Sequence, residues 1–513
     1  MGWSAADALV DADSLGPVLL VSAAVLVVCI VAVRLTARSG LPTLLAYLAV
    51  GLVLGEGGLG INFSSAEIGQ VLGYSALILI LAEGGLTTRW SSIRNAVAPA
   101  VTLSTVGVVV SVFVTAAAAH WLLGWSWQVS LLVGAIVSST DAAAVFSVLR
   151  TVPLPRRISG MLEAESGFND APVVMLVVAI TTSLANPAEA QPWWMIGILA
   201  VVQLSVGTVI GAAVGYVGGG LLRRTAAATS GLFAIGVVSV SVLAFGAATV
   251  VGTSGFIACY VAALVMGNMS LPHRSAMLGF AESVGWLAQI GLFVMLGLLA
   301  SPSGFVDQLT PALVLGLVLL LLARPVSVIV SLTPFRVGWR DQVFLSWAGL
   351  RGAVPVVLAT VPVTVGVDGV SWIFDLVFVL VVLFTLIQAP SLPWVARHLG
   401  VTESGHTQDL TVESEPLESI DADLVEVAVE EGSRLHGVQV FELRLPKGAN
   451  VALIVRDDGS FVPSPTTPIR VGDQLLVVSS RGLRSEVERR VRAVSRHGRL
   501  AGWIPEPSGS DAR

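Results

Sequence analysis

The sequence predicts a polytopic α-helical membrane protein followed by a small cytosolic α+β domain. The membrane part is expected to have about 13 transmembrane helices in inverted repeats, two of them discontinuous. Three observations lead there. The 513 residues are 55% hydrophobic and only 12% charged, with a mean hydropathy of +0.85. A soluble domain is about 45–50% apolar and roughly a quarter charged. The charge is also unevenly placed: residues 1–400 carry 16 Asp+Glu and 15 Lys+Arg, residues 401–513 carry 18 and 13. Finally, two apolar runs are interrupted near their middles by residues that break helices. The composition excludes a globular enzyme on a single anchor and a secreted disulfide scaffold. A net charge of −6 without a basic stripe excludes a nucleic-acid binder. The expected division is 1–400 membrane domain, 401–420 linker, 421–481 small soluble domain and 482–513 helical or disordered tail.

The N-terminus is acidic (Asp7, Asp11, Asp13), and the first apolar run, Leu15–Val33, is full length. A signal peptide has a basic start and a shorter apolar stretch, so this run is expected to be a retained first span. Further runs follow at 41–55, 66–83, 96–121, 127–149, 160–185, 193–222, 231–250, 254–268, 282–300, 310–331, 341–363 and 371–396. About 20 apolar residues cross a bilayer core, and the second and ninth runs are short. Cys29 and Cys259 both lie inside apolar runs and are read as small hydrophobes, with no metal or disulfide spacing.

Loop charge sets the orientation. Arg34 and Arg38 follow the first run, Arg89 and Arg94 the third, Arg150, Arg156 and Arg157 the fifth, and Arg223 and Arg224 the seventh. His273 and Arg274 follow the ninth, Arg336 and Arg340 the eleventh, and Arg397 the last. The alternate loops hold acids (Glu56, Glu189, Asp307, Asp368). Positive loops favour the cytoplasm, so the N-terminus is expected outside and the tail inside.

Asp141, Glu163, Glu165, Asp170, Arg324 and Arg351 fall within spans. A charge at the bilayer centre costs about 2.5–3.5 kcal/mol on insertion scales, so such residues face a protein interior or a water-filled path. They mark either a transport route or interhelical ion pairs that fix the bundle. In the fifth run Ser139-Thr140-Asp141 interrupts an apolar helix with residues that cap helix N-termini. This reads as two half-helices meeting at a polar break; the plainer alternative is one helix with hydroxyls bonded back to its own carbonyls. In the twelfth run Gly349, Gly352 and Pro355 weaken the helix around Arg351, and Pro355 removes a backbone donor. With runs 1–6 and 8–13 taken as two repeats, each break is in the fifth helix of its repeat. The repeats then run in opposite directions, an arrangement of secondary transporters whose ion site lies where discontinuous helices cross.

The sixth run begins Glu163-Ala-Glu165-Ser166-Gly-Phe-Asn169-Asp170. Glu165 and Asn169, and Ser166 and Asp170, are four apart and share one flank. Carboxylate, hydroxyl and amide oxygens on a cavity make a site for a hard cation. At Asp170 a proton and a cation can compete for one carboxylate. Glu165 needs a countercharge, with Arg351 the first candidate and Arg324 the second.

At these residues the sequence resembles the monovalent cation:proton antiporters, specifically sodium(potassium)/proton exchangers of the NhaP type. Three motifs carry the resemblance: Ser139-Thr140-Asp141, Glu165-Ser166 through Asn169-Asp170, and Gly349-Leu350-Arg351-Gly352-Ala353. It covers roughly residues 15–398. It implies that Asp170 binds the ion and exchanges the proton, with Thr140 and Ser166 as further ligands of the transported monovalent cation. Asp141 would contribute through water or at the unwound crossing. Asn169 stands where an electrogenic branch carries a second Asp, which implies one-for-one, electroneutral exchange. Glu165 with Arg351 resembles the family's structural ion bridge. The family also implies a homodimer in which an ion-binding core moves against a fixed dimerisation domain. One departure is Gly167-Phe168 in place of an aliphatic pair, which bears on local packing.

Beyond a polar, acidic linker, the tail alternates in short runs at Leu424–Glu430, Val451–Val455 and Gln474–Val478. It resembles the C-terminal subdomain of potassium-conductance regulators (TrkA-C) over about 420–480. The nucleotide-binding half of those regulators is absent, so no cofactor, neither NAD nor ATP, is expected. A small regulatory ligand is the implied partner. Residues 481–513 are arginine-rich, then Pro/Gly/Ser-rich, and are read as a short helix fading into disorder.

A ligand-gated channel would call for a carbonyl ring or repeated pore loops, and none is evident. Gly252-Thr-Ser254-Gly255 has the spacing of an intramembrane serine nucleophile, but all six histidines fall in loops or the tail. A pump lacks its Gly-x-x-x-x-Gly-Lys loop. A sodium-coupled solute symporter shares broken helices and is the remaining alternative. The expectation is a cation:proton antiporter, not an enzyme, of a bacterial plasma membrane, with K+ favoured over Na+ because the tail resembles potassium-system regulators.

Overall fold

In a computed structural model the chain divides into two compact units, Met1–Thr402 and Glu403–Arg513. The structure describes residues 15–39, 42–61, 65–149, 152, 154–187, 192–225, 229–402, 412–417, 422–429, 433–456, 459–480 and 483–498. The acidic N-terminus, Arg150, Glu189, linker residues 403–411 and 418–421, and the Pro/Gly/Ser-rich end lie outside these.

The first unit is all helix. Its helices are α1 (Leu15–Ser39), α2 (Thr43–Leu54), α3 (Ala66–Thr87), α4 (Val97–Leu123), α5 (Trp127–Ile136), α6 (Ala142–Val148), α7 (Arg156–Ala185) and α8 (Trp193–Arg224). There follow α9 (Ser230–Val250), α10 (Gly255–Asn268), α11 (Arg274–Leu299), α12 (Pro302–Phe335), α13 (Trp339–Trp347), α14 (Ala353–Thr364) and α15 (Trp372–His398). Among the described residues nine helices are long and apolar enough to cross a membrane, and α2, α5, α10 and α14 are shorter apolar helices. The unit is therefore built to pass the bilayer many times.

Small residues set how closely the helices pack. On α8, Gly207, Gly211, Gly215 and Gly219 recur every four residues and form one stripe. The stripe lies on α10, where a Cβ on Gly207, Gly211 or Gly215 would run into the carbonyl oxygens of Ser254, Ala258 and Ala262 respectively. Association in lipid depends on such close backbone approach, since lipid tails are as apolar as leucine. Ser254, a candidate nucleophile by spacing alone, is thus one of the residues that receive this stripe. Its partner α10 is buried along nearly its whole length.

Two long helices carry a widened π-turn, Leu103–Gly107 in α4 and Leu319–Ala323 in α12. The second precedes Arg324-Pro325; proline supplies no backbone donor, so the α-helical ladder cannot run through unbroken. The turn that follows the second segment meets the first where the Ser327 hydroxyl donates to the Gly107 carbonyl at 2.7 Å.

The second unit is a five-stranded antiparallel sheet with one helix. The strands are β1 (Val412–Leu417), β2 (Ala422–Ala428), β3 (Ala449–Arg456), β4 (Gly459–Phe461) and β5 (Gln474–Ser480), in the order β1-β2-β5-β3-β4. Val425 and Val427 of β2, Val451 and Ile454 of β3, and Leu475 and Val477 of β5 form the core with Val487, Val491 and Val494 of α16 (Arg484–His497). Two sequence expectations are corrected here. Residues 412–417, read as linker, are an edge strand paired with β2 from Val412–Val427 to Leu417–Ala422. Its acidic composition conceals it because strand pairing runs through the backbone, and an edge tolerates Pro416. The arginine-rich stretch after 481 is a helix, as read from the sequence, but it belongs to the domain rather than to a tail beyond it: its valines, at helical spacing, close the core of the sheet.

Candidate functional site

The site is built where two interrupted helices cross. Helix α5 ends at Ile136 and α6 begins at Ala142, leaving Val137–Asp141 unwound. Likewise α13 ends at Trp347 and α14 begins at Ala353, leaving Ala348–Gly352 unwound. The two breaks touch: the Asp141 N–H donates to the Leu350 carbonyl at 2.8 Å. A Cβ at Gly352 would collide with the Asp141 carboxylate, so only glycine admits that side chain here.

A broken helix leaves carbonyls at one end and N–H groups at the other without helical partners. Charged side chains meet both. Arg351 donates to the Ser139 carbonyl at 3.0 Å and the Ser138 carbonyl at 3.4 Å, at the negative end of α5. Asp141 accepts from the Ala144 N–H at 3.3 Å at the positive end of α6. Arg351 is 6% exposed, so these carbonyls stand in for solvent around its guanidinium.

This geometry corrects the first choice of partner for Glu165. The carboxylate of Glu165 pairs with Arg324, at 2.5 Å to Nη1 and 2.8 Å to Nη2, with both side chains buried. Arg351 is held instead by the carbonyl end of α5, while Arg324 reaches Glu165 from the turn that follows the π-segment of α12. The pair anchors a polar chain. Thr140 donates to Glu165 Oε1 at 3.1 Å, and Asn169 Nδ2 donates to Thr140 Oγ1 at 2.6 Å and to the Thr140 carbonyl at 3.4 Å.

Asp170 stands apart from that chain. It is 8% exposed, and its Oδ1 accepts from the Ser139 hydroxyl at 2.7 Å. A cavity of about 380 Å³ opens beside it, lined among others by Thr140, Asp141, Ser166, Asp170, Glu83, Glu163 and Tyr260. Of the residues singled out by sequence, Asp170, Asp141, Thr140 and Ser166 thus share this cavity. Asn169, Glu165 and Arg324 form the buried chain behind it, and Arg351 clamps the break.

Three residues at the site escape sequence reasoning in whole or in part. Ser139 reads as part of the break but not as the donor to Asp170; the signal is a hydroxyl in mid-span. Glu83 reads as the end of the third run, although it lies inside α3 and lines the cavity. Tyr260 looks like an ordinary apolar position of a short span.

The family model "Sodium/hydrogen exchanger, transmembrane" matches residues 23–398, and the TrkA-C domain model matches residues 424–492. The chain is 36% identical over 479 residues to a K(+)/H(+) antiporter NhaP2 of Shewanella baltica, covering 91% of this chain and 82% of that protein. It is likewise 36% identical over 480 residues to a K(+)/H(+) antiporter NhaP of Alkalimonas amylolytica, with the same coverage of 91% and 82%. Among solved structures, the sodium proton antiporter MjNhaP1 from Methanocaldococcus jannaschii at pH 8 superposes with a TM-score of 0.64 at 20% identity. That match covers 74% of this chain and 99% of MjNhaP1, and it establishes likeness of fold alone.

Proposed function

The chain belongs to the sodium/hydrogen exchanger family, and from that premise we propose that it exchanges a monovalent cation, K+ in preference to Na+, for protons across a bacterial plasma membrane. The observation that carries this reading is the buried Asp170 carboxylate on a cavity at the crossing of two broken helices, held by the Ser139 hydroxyl at 2.7 Å. A carboxylate removed from water keeps its charge only beside a cation or gives it up to a proton, so the two substrates exclude one another there. Ser166 and the Thr140 main chain supply further oxygens, and Asp141 acts at the unwound crossing, directly or through water.

The exchange is one-for-one in this reading. Asn169 is neutral and tied to Thr140, so the turn that bears Asp170 carries no second carboxylate beside it. Glu165 is neutralised by Arg324 in every step. Each cycle then carries one positive charge each way. The preference for K+ is supported by the K(+)/H(+) antiporters among the relatives and by the TrkA-C match at residues 424–492.

The membrane domain in this proposal has thirteen crossings in two inverted repeats, with the N-terminus outside and the regulatory domain in the cytoplasm, where it senses a small ligand. The functional unit is a homodimer. The domain division follows the same lines: a membrane domain to about residue 400, then a linker and a regulatory module, with α16 assigned to that module.

The test is proton flux in inverted vesicles. Adding K+ or Na+ should collapse a preformed ΔpH, and Asp170→Ala should abolish the collapse. An equal collapse in the variant would remove Asp170 from the mechanism. Cation current without proton movement would favour a channel.

A further inference from the structure

Tyr260 lies in the middle of α10, a helix otherwise occupied by close packing. It is 2% exposed, and its hydroxyl oxygen makes no hydrogen bond of good geometry among the described residues, with Thr88 the one polar side chain close enough to interact with it. Few buried polar atoms in a native chain go unpaired, and each calls for a reason. Thr88, a polar residue of the same cavity wall, gives its own proton to the Gly84 carbonyl at 2.6 Å, so towards Tyr260 it can only accept, and the lone pairs of the Tyr260 oxygen stay uncommitted.

The place of that hydroxyl gives the reason. A Cβ on Gly167 would collide with the hydroxyl-bearing edge of the Tyr260 ring, 2.7 Å from its hydroxyl oxygen. Gly167 sits on α7 three residues before Asp170 and four after Glu163, so all three share one flank of the helix. The hydroxyl therefore hangs over the stretch of α7 between Glu163 and Asp170, and both residues line the same cavity as Tyr260. Phe168 packs edge-on against the ring, with centroids 5.5 Å apart and planes at 74°, which fixes its direction. Glycine inside a helix in place of a larger residue is unfavourable by itself. Here it provides the hollow through which a ring from α10 reaches the ion-binding face of α7.

We propose that Tyr260 supplies an additional oxygen to the transported cation, its hydroxyl completing the shell begun by Asp170 and Ser166, and that Gly167 is the cradle that admits it. The inference rests on the cation:proton exchange proposed above. The hydroxyl oxygen faces the ion with its lone pairs while its proton turns to Thr88. A shell of fixed oxygens replaces the hydration of an ion, and the number of ligands helps to decide which ion is preferred. One more neutral oxygen suits the larger K+ better than Na+. Phenylalanine at 260 would keep the ring and its packing and remove only that ligand.

The experiment is cation-dependent ΔpH collapse in inverted vesicles with K+ and Na+ titrated separately, for wild type and for Tyr260→Phe, Gly167→Ala and Asp170→Ala. Tyr260→Phe is expected to raise the apparent KM for K+ about five- to tenfold, the scale of one lost polar contact, and to change that for Na+ less. Gly167→Ala, which displaces the ring, should raise the KM for K+ as well. If Gly167→Ala does not yield folded protein, the Tyr260→Phe titration decides alone. Unchanged KM values for both ions in Tyr260→Phe overturn the inference, as does an equal rise for both, which would indicate loss of packing. Absence of cation-driven flux in the wild type would instead overturn the exchange reading itself, so the two failures are told apart.

Discussion

The Ser139 hydroxyl and the Asp170 carboxylate, 31 residues apart in the chain, are joined by a 2.7 Å hydrogen bond. The bond links the unwound segment between α5 and α6 to the middle of α7. Ser139 is positioned by its own carbonyl, which receives the Arg351 guanidinium at 3.0 Å. The charge of Arg351, on the other broken helix, thus acts on Asp170 through the backbone of the first. A motion that separated the two breaks would also withdraw the donor from the carboxylate.

Ser139→Ala should therefore alter the competition between proton and cation without abolishing exchange. The hydroxyl donates to the ionised carboxylate and favours that form. Without it the balance between proton and cation at Asp170 changes, so the pH profile of cation-driven flux should move away from its wild-type position. A profile superimposable on the wild type would show that the bond does not act in turnover. Ser139→Thr, which retains the hydroxyl, should restore the position.

Glu165 and Arg324 predict a stability effect rather than a substrate effect. Both are buried, and removal of one partner leaves an uncompensated charge. Arg324→Ala or Glu165→Ala should lower stability by about 3–5 kcal/mol, read as thermal unfolding of the detergent-solubilised protein. Replacing both with apolar residues of similar volume should recover much of the loss. A double variant as unstable as the singles would mean that the polar chain through Thr140 and Asn169 depends on the carboxylate itself.

The two helix breaks are legible in the sequence because their causes are local. Ser139-Thr140-Asp141 and the Gly349–Pro355 stretch carry caps, glycines and a proline whose effects act within a few residues. The partner of Glu165 is not legible in this way. Choosing between Arg351 and Arg324 depends on which helix end each arginine faces, and that is settled by packing across the bundle. The same holds for Tyr260, whose relation to Gly167 joins positions 93 residues apart. In the tail, β2, β3 and β5 show as alternating runs, whereas β1 does not, since its outer edge is unpaired and its sequence is acidic. The helix Arg484–His497 is legible, but its arginines hide that Val487, Val491 and Val494 form an apolar stripe belonging to the core of the sheet.

The glycine stripe of α8 gives a prediction that separates packing from transport chemistry. A Cβ on Gly211 would overlap the Ala258 carbonyl, and the backbone of α10 cannot yield as a flexible side chain would. Gly211→Ala must then push α8 away from α10 and open neighbouring contacts at Gly207 and Gly215. Overpacking of this kind costs about 1–3 kcal/mol. The variant should unfold at lower temperature in detergent, while the apparent KM for the cation in vesicles stays at the wild-type value, because Gly211 does not line the cavity at Asp170. Gly220, on the same helix but with nothing within 4 Å of the place a methyl group would take, is the control: Gly220→Ala should unfold at the wild-type temperature or slightly above it, since alanine is the better helix former. Equal behaviour of the two variants would show that the α8–α10 contact is loose enough to absorb a methyl group, and the close approach would then not be what holds these helices together.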